Sequence, residues 1–295
     1  MASLPFQRVL VIVNPIAGRG RAERGARELA AALERAGAQV ELFATARKGD
    51  ARARATRVGA DLERLVVVGG DGTVSEVLEG LAQHDLPLLI LPMGTANVMG
   101  LDLALPRDAP RALEVLRSGR TQRIDVARVN GSALSFLVTG VGLDALVVRE
   151  LERVRRGPIS KWTWVRAALS VSLHYREPRL TVELDGQELP GRYGFVVFSN
   201  VIHYGGLRVL ATDRKLDDGL FEAYLFRGCG RLGLLAHGVR ALLTGFPSGR
   251  CERHRARHIR VRSEAPVPYQ VDGDLGGETP LEVEVLAQPF TLLVP

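Results

Sequence analysis

The chain of 295 residues predicts two unlike halves, an α/β N-terminal domain with a parallel sheet and a C-terminal β-sandwich domain. In the first half, apolar runs at 9–13, 65–68 and 88–91 alternate with helical stretches. Such alternation implies a parallel sheet covered by helices. From about Arg123 the strand-like stretches shorten and Gly and Pro turns separate them, the pattern of a sandwich.

Residues 9–13, Val-Leu-Val-Ile-Val, are apolar at every position, as a strand buried on both faces requires. The stretch 22–36 is rich in Ala, Leu, Glu and Arg and reads as a helix that stops near Gly37. A strand over 39–44, a helix over 51–59 and a strand over 65–68 follow. Over 73–82, Val74, Val77, Leu78 and Leu81 recur at helical spacing and mark one apolar face. Residues 88–91 form the next strand. In the second half the expected strands are 123–129, 135–138, 180–184, 193–199, 221–226, 258–262 and 281–286. Helices are expected over 144–173, with a break at Gly157-Pro158, and over 232–243. The closing run 290–294 is apolar enough for a buried strand.

Hydrophobic residues make up 46% of the chain and charged residues 24%, the balance of an ordinary globular protein. No run of about 18 apolar residues appears, which argues against a spanning helix. The segment ahead of Val9 lacks the apolar core of a signal peptide. Cys229 and Cys251 are too few for a disulfide framework, and His84, His174, His203, His237, His254 and His258 show no metal-ligand spacing. A cytoplasmic location follows, with peripheral contact at the inner membrane face allowed. The formal net charge of +6 comes almost wholly from arginine, since lysine occurs only at Lys48, Lys161 and Lys215. Arginine enrichment alongside alanine is first of all what a GC-rich genome produces; the functional alternative is attraction to phosphates or anionic membrane surfaces. Zinc-finger spacing, RNA-recognition aromatics and basic heptads are missing, so nucleic acid is not an expected partner.

Three strings follow the apolar runs of the first half: Asn14-Pro15-Ile16-Ala17-Gly18, Gly69-Gly70-Asp71-Gly72-Thr73, and Pro92-Met93-Gly94-Thr95-Ala96-Asn97. Glycine lets backbone N–H groups approach an anion closely, so turns of this kind bind phosphate. Three of them at the ends of three strands point to one nucleotide or phosphate crevice.

These strings, with Gly140-Val141-Gly142-Leu143-Asp144-Ala145, Leu216-Asp217-Asp218-Gly219-Leu220 and Val271-Asp272-Gly273-Asp274, resemble the diacylglycerol kinase catalytic family. That family includes bacterial diacylglycerol kinases and the sphingosine and ceramide kinases. The resemblance covers essentially the whole chain. It implies a nucleotide-binding domain over 1–122, a β-sandwich lipid-substrate domain over 123–287, and return of the last strand, 288–295, to the first domain. NAD kinases and phosphofructokinases share a Gly-Asp-Gly loop. The Asn-Pro-x-x-Gly opening, the Gly-Thr-x-Asn turn and the all-β second half look like the lipid kinases instead.

The resemblance implies ATP contacts from Asn14, Pro15, Gly18, Thr45, Gly69, Gly70, Asp71, Gly72, Thr73, Gly94, Thr95 and Asn97. Asp71, between glycines at a helix start, suits a helix cap or the orientation of a magnesium hydration shell. Arg19 and Arg21 lie where they can meet phosphate oxygens or simply stay solvated. In the string from Lys215 to Leu220 the resemblance implies a structural Mg2+ held by the Asp218 carboxylate and the main-chain carbonyls of Lys215 and Leu220. A plain Asp-Asp-Gly turn accounts for the same residues, and Thr212 stands where the family usually has proline. Asp274 stands where the family has a glutamate proposed as proton acceptor. Glu278 is a nearby substitute, and a simple turn between strands is the plain alternative. Asp144 and Tyr204-Gly205-Gly206 are read as cleft-lining. The segment 160–173, with Trp162, Trp164 and the neighbouring Arg155, Arg156 and Arg166, is either a helix packed on the sandwich or an interfacial lid.

The expected activity is ATP-dependent transfer of the γ-phosphoryl group to a lipid hydroxyl, most simply a diacylglycerol-like one. Asp71 and Asp274 are its catalytic residues, ATP and Mg2+ its cofactors, and a lipid substrate at the membrane surface its partner, with a homodimer left open. The alternatives are a kinase of a soluble acceptor, akin to NAD kinase, and a weakly active nucleotide-binding regulatory protein.

Overall fold

The computed structural model describes residues 4–81, 84–154, 161–204, 207–208, 210–247 and 249–295. Arg155, Arg156, Gly157-Pro158, Ser160 and Gly205-Gly206 lie outside the described residues. The chain divides into two units, Met1–Ile124 with Pro289–Pro295, and Asp125–Gln288.

The first unit runs β1 (Arg8–Val13), α1 (Arg21–Arg35), β2 (Gln39–Ala44), α2 (Asp50–Ala55), β3 (Arg64–Gly69), α3 (Asp71–Gly80), β4 (Leu88–Pro92), α4 (Val98–Asp102), α5 (Ala109–Ser118) and β5 (Arg120–Ile124). The second runs β6 (Ala127–Val129), β7 (Ala133–Ser135), β8 (Val138–Val141), α6 (Leu143–Val154), α7 (Lys161–His174), β9 (Leu180–Leu184), β10 (Gln187–Glu188), β11 (Phe195–Ser199), β12 (His203–Tyr204) and β13 (Leu207–Arg208). It continues through β14 (Phe221–Phe226), α8 (Arg231–Leu243), β15 (Cys251–Ala256), β16 (His258–Ser263), β17 (Pro268–Val271), β18 (Asp274–Glu278) and β19 (Leu281–Val285). The chain closes with β20 (Phe290–Val294), which belongs to the first unit.

In the first unit the sheet order is β2-β1-β3-β4-β20-β5. The central strands are parallel and their apolar runs are buried throughout, which is why they show no polar alternation. α1 lays Ala22, Ala26, Leu29 and Leu33 on the sheet, and α3 buries Val74, Val77, Leu78 and Leu81. β20 runs parallel to β4 but antiparallel to β5. The sheet is therefore parallel through its centre, as the alternation predicts, and mixed only where the returning strand β20 meets β5. A crossover helix would have to link β5 to a parallel neighbour, and β20 arrives from the far end of the chain instead.

The second unit stacks two six-stranded sheets, β10-β9-β16-β19-β6-β7 and β15-β14-β11-β8-β17-β18. Val182, Ile259, Val261 and Val283 from one sheet share a core with Val196, Phe198, Phe221, Ala223 and Leu225 from the other. β9, β16 and β19 alternate buried and accessible residues, as a sheet with one solvated face does.

Several expected elements differ in extent. The stretch 123–129 is two strands in two sheets, parted at Asp125, which is buried and whose N–H donates to the Leu216 carbonyl at 2.5 Å. The stretch 135–138 breaks at Phe136-Leu137, because their N–H groups turn to the Asp272 carboxylate instead of a neighbouring strand. The helix expected over 51–59 stops at Ala55. α5 escaped the periodicity reading although its start signal is present: Asp108 accepts the Arg111 N–H at 2.9 Å, with Pro110 in the first turn. β15 escaped because it reads Cys-Glu-Arg-His-Arg-Ala. Its arginines are satisfied laterally by Glu222, at 2.6 Å from Arg253 and 2.9 Å from Arg255.

Candidate active site

β3 pairs in parallel with β1 on one side and β4 on the other, so the three strands end side by side. β2 lies on the outer side of β1 and β3 on its inner side. The carboxyl ends of β1 and β3 therefore flank a topological switch point, the place where open α/β sheets take ligands.

The three glycine turns meet there. The Asn14 N–H donates to the Val68 carbonyl at 3.0 Å, and the Met93 N–H donates to the Gly69 carbonyl at 2.7 Å. A Cβ on Gly94 would lie 2.5 Å from the Gly70 Cα, and one on Gly18 (φ +60°) would lie 2.9 Å from the Met93 carbonyl oxygen. Only glycine lets these main chains touch. Asn97, at φ +49°, closes its own turn: its Oδ1 accepts the Gly94 N–H at 2.7 Å and its Nδ2 donates to the Gly94 carbonyl at 2.9 Å. Asn14 Nδ2 donates to the hydroxyl of buried Thr73 at 3.5 Å. The Thr45 N–H donates to the Val13 carbonyl at 2.9 Å, which sets Thr45 beside the end of β1 and the Asn14-Pro15 turn. Gly72 and Thr95 are exposed. Arg21 braces the first loop, its Nε donating to the Gly18 carbonyl at 3.0 Å.

α3 starts at Asp71 behind Gly70, which offers no side chain as a cap. Its first turn therefore presents backbone N–H groups at the positive end of the helix, with Asp71 as the one acidic residue of that turn. Gly70 is the N-cap of α3, and the Asp71 carboxylate reaches the backbone at the start of the next helix. Its Oδ2 accepts the Val98 N–H at 3.4 Å, at the start of α4. Burial pushes the Asp71 carboxyl up from 3.8 to about 6, against the downward pull of the Val98 and Asn97 N–H groups.

In the second unit, β17 and β18 form a hairpin whose two turn residues, Asp272 (φ +50°) and Gly273 (φ +94°), both have positive φ. That is the tight turn Asp-Gly favours. Asp274 is the first residue after it and opposes Val271. Asp272 Oδ1 accepts Ser135 Oγ at 2.9 Å and the Leu137 and Val138 N–H groups at 3.0 and 2.8 Å, while Oδ2 accepts the Phe136 N–H at 2.9 Å. The Gly273 N–H donates to Gln270 Oε1 at 2.7 Å, and Gln270 Nε2 donates to the buried Asp144 carboxylate at 2.6 Å. Burial raises Asp144 while hydrogen bonds from Tyr204 and Gln270 pull it down. Gly140 leaves the room that this carboxylate occupies. Glu278 opposes Pro268 at the other end of β18. Four residues of strand span roughly 13 Å, so Glu278 and Asp274 do not serve the same point.

Residues 8–129 match the model of the diacylglycerol kinase catalytic domain, and residues 137–294 match that of the YegS C-terminal NAD kinase beta sandwich-like domain. The chain belongs to the diacylglycerol kinase catalytic family. A diacylglycerol kinase of Staphylococcus carnosus (strain TM300) is 27% identical over 298 residues, covering 98% of this chain and 95% of that protein. One from Staphylococcus haemolyticus (strain JCSC1435) is 29% identical, covering 92% and 83%. The crystal structure of a diacylglycerol kinase from Bacillus anthracis str. Sterne aligns over 99% of this chain and 98% of its own, with a TM-score of 0.76 at 22% identity, a likeness of fold. Family membership makes this protein a kinase, a phosphotransferase with an alcohol group as acceptor.

In this diacylglycerol kinase family member the loop from Lys215 to Leu220 closes onto a residue the sequence reading passed over. Asp125 accepts the Gly219 N–H at 2.8 Å, and Asp218 Oδ1 accepts the Leu220 N–H at 3.2 Å. Asp125 and Gln270 sit inside strand-like stretches and carry no motif. Their only sequence signal is a polar residue among apolar neighbours, which a solvated strand position produces as well. Among the described residues, no three His, Cys, Asp or Glu side chains cluster as a metal site would need, and no helix is long and apolar enough to cross a membrane. Cys229 and Cys251 are both buried and form no disulfide.

Proposed function

We propose that the protein is an ATP-dependent lipid kinase that transfers the γ-phosphoryl group to the hydroxyl of a diacylglycerol-like acceptor. The observation that carries this reading is the meeting of three glycine turns at the ends of β1, β3 and β4, with Asp71 beside them. Backbone N–H groups of the turns and the first turn of α3 receive the phosphates. Asn14, Thr45, Thr73, Thr95 and Asn97 supply short polar side chains around them, and Arg19 adds charge.

Mg2+, when bound, neutralises charge on the phosphates. Asp71 suits the orientation of its water shell, since a hard cation prefers carboxylate and water oxygen. A carboxyl raised to about 6 by burial is poised to ionise fully once a cation arrives. A second Mg2+ fits the loop on Asp125, where the Asp218 carboxylate and the carbonyls of Lys215 and Leu220 are an oxygen-only donor set.

Asp274 accepts the proton of the acceptor hydroxyl as that oxygen bonds to the γ-phosphorus and the bond to the ADP oxygen breaks. It is one methylene shorter than the family's glutamate, and its backbone is held by Asp272 and Gln270 through the turn. The lipid names of the relatives support a diacylglycerol-like acceptor.

The test is phosphate transfer from labelled ATP into detergent-dispersed diacylglycerol, beside a panel of soluble nucleotide and sugar acceptors. Label in the lipid, lost in Asp71→Asn, is the expected result. Label in a soluble acceptor alone would replace the reading with the NAD-kinase-like one, and no label anywhere would favour a regulatory protein.

A further inference from the structure

α7 and α8 pack against each other in the second unit, and each leaves an apolar stripe in solvent. On α8, Leu232, Leu235, Val239 and Leu243 recur at i, i+3, i+7 and i+11, one face of a helix. Leu232 is 84% exposed and Leu243 77%. The opposite face is anchored. Leu234 is buried, and His237 lies edge-on to Phe226 at 5.3 Å with its Nε2 3.1 Å from the Arg227 carbonyl. On α7, Val165, Leu169 and Leu173 recur at i, i+4 and i+8 and are exposed, while Ala167 packs inward with Trp164 and Val171 against Val147 and Leu151 of α6. Neither helix can turn its apolar stripe inward, because the other face of α7 already packs on α6 and that of α8 on the sandwich.

Charge says what covers the stripes. Neither α7 nor α8 contains an Asp or Glu, yet they carry Lys161, Arg166, Arg231 and Arg240. At about 100° per residue, Arg231 and Arg240 fall on either side of the α8 stripe, and Arg166 falls one step from Val165. A second copy of this chain docked by a twofold would bring arginine to arginine with no carboxylate on either helix to answer it. An apolar stripe bordered by cations is instead the pattern of helices that lie in the headgroup region of an anionic bilayer.

We infer that the α7–α8 face is a membrane-docking surface for anionic lipid, seated by Leu232, Leu235, Val239, Leu243, Val165, Leu169 and Leu173 and steered by Arg166, Arg231 and Arg240. It requires only the two helices and holds whatever the phosphoryl acceptor is. The soluble-kinase and lipid-kinase readings therefore stand or fall separately from it.

The experiment is co-flotation of the full chain with vesicles of phosphatidylglycerol or of phosphatidylcholine, neither containing diacylglycerol, at two salt concentrations. The wild type should float with phosphatidylglycerol, less so at high salt, and weakly with phosphatidylcholine. Arg231→Glu with Arg240→Glu should lower the anionic-vesicle affinity on the order of 25-fold or more. Leu232→Glu with Leu235→Glu should abolish it, with the melting temperature unchanged because both leucines are exposed. Transfer into detergent-dispersed diacylglycerol should persist in both variants. Wild type that ignores phosphatidylglycerol, or variants that float as well as wild type, would overturn docking. So would a wild-type dimer that the leucine variant splits into monomers, since a second copy would then occupy the face.

Discussion

The carboxylate of Asp272 accepts the Val138 N–H at 2.8 Å, and with three further hydrogen bonds it ties the β17–β18 turn to the β7–β8 connection. Asp272 is thus a positioning residue for Asp274 two places on. Asp272→Asn can keep the three bonds to Oδ1 but turns an amide toward the Phe136 N–H. Leaving such a donor unpaired costs about 1–3 kcal/mol, read as a lower melting temperature. The turnover number should fall while KM for ATP stays unchanged, because the glycine turns proposed to hold the nucleotide belong to the other unit. Loss of ATP binding in this variant would contradict a positioning role.

The parallel core strands and the glycine turns were legible in the sequence because both are local. An apolar run such as 65–68 has no polar alternation to explain away, and a glycine pair after it demands a turn. What joins the turns was not legible. Nothing near Gly70 in the sequence announces that it will touch Gly94, and nothing near Asp125 announces Gly219. The same limit hid the break at Phe136-Leu137, whose cause is a carboxylate 136 residues away from Phe136 in the chain. α5 differs: its Asp108 cap, Pro110 and the helical spacing of Ala112, Val115 and Leu116 are all local signals.

Gly72 and Gly94 should respond differently to alanine. Nothing lies within 4 Å of a Cβ on Gly72, whereas one on Gly94 meets the Gly70 Cα at 2.5 Å. Gly72→Ala should hold or raise the melting temperature, since alanine in a helix is worth up to about 1 kcal/mol over glycine. Its ATP affinity should nonetheless fall on the order of tenfold, about 1.4 kcal/mol, if the methyl stands in the proposed path of the phosphates. Gly94→Ala should lose both stability and binding. Full ATP affinity in Gly72→Ala, measured by titration calorimetry, would remove Gly72 from the phosphate site.

Asp71 couples function to stability with a definite sign. Its carboxyl is raised from 3.8 to about 6 in the folded protein. The folded state therefore favours the protonated form, and this group's contribution is complete below pH 4 and lost as pH rises through about 6. At pH 7.5, Asp71→Asn should be more stable than wild type by about 1–2 kcal/mol while losing at least about 10² in turnover. Thermal melts of both proteins between pH 4 and 7.5 should converge at the acid end. A variant no more stable at pH 7.5 than wild type would mean that Asp71 is not desolvated.

Magnesium should raise the melting temperature of the wild type through the loop from Lys215 to Leu220. Asp218→Ala should cancel that gain in the absence of nucleotide. Asp125→Asn should weaken it as well, since the Gly219 N–H then loses a charged acceptor and the loop its anchor. Gains equal to wild type in both variants would leave the loop a plain turn.

Asp274 and Glu278 are the two carboxylates of β18, and the strand itself separates their roles. Asp274 adjoins a turn held by Asp272 and Gln270, whereas Glu278 lies at the opposite end beside the cis Thr279-Pro280 bond. Loss of a general base typically costs about 10²–10⁴ in rate. Asp274→Asn should therefore fall by that order with ATP binding retained, and Glu278→Gln should stay within a few-fold of wild type. Asp274→Glu adds one methylene, roughly 1.5 Å of reach, on a turn whose backbone does not move to compensate. It should remain active and gain rate if the shorter side chain leaves the base too far from the hydroxyl. The comparison is turnover on one diacylglycerol preparation at saturating ATP. A silent Asp274→Asn beside a crippled Glu278→Gln would move the proton acceptor to the far end of the hairpin, and the hydrogen bonds of Asp272 would then serve the fold alone.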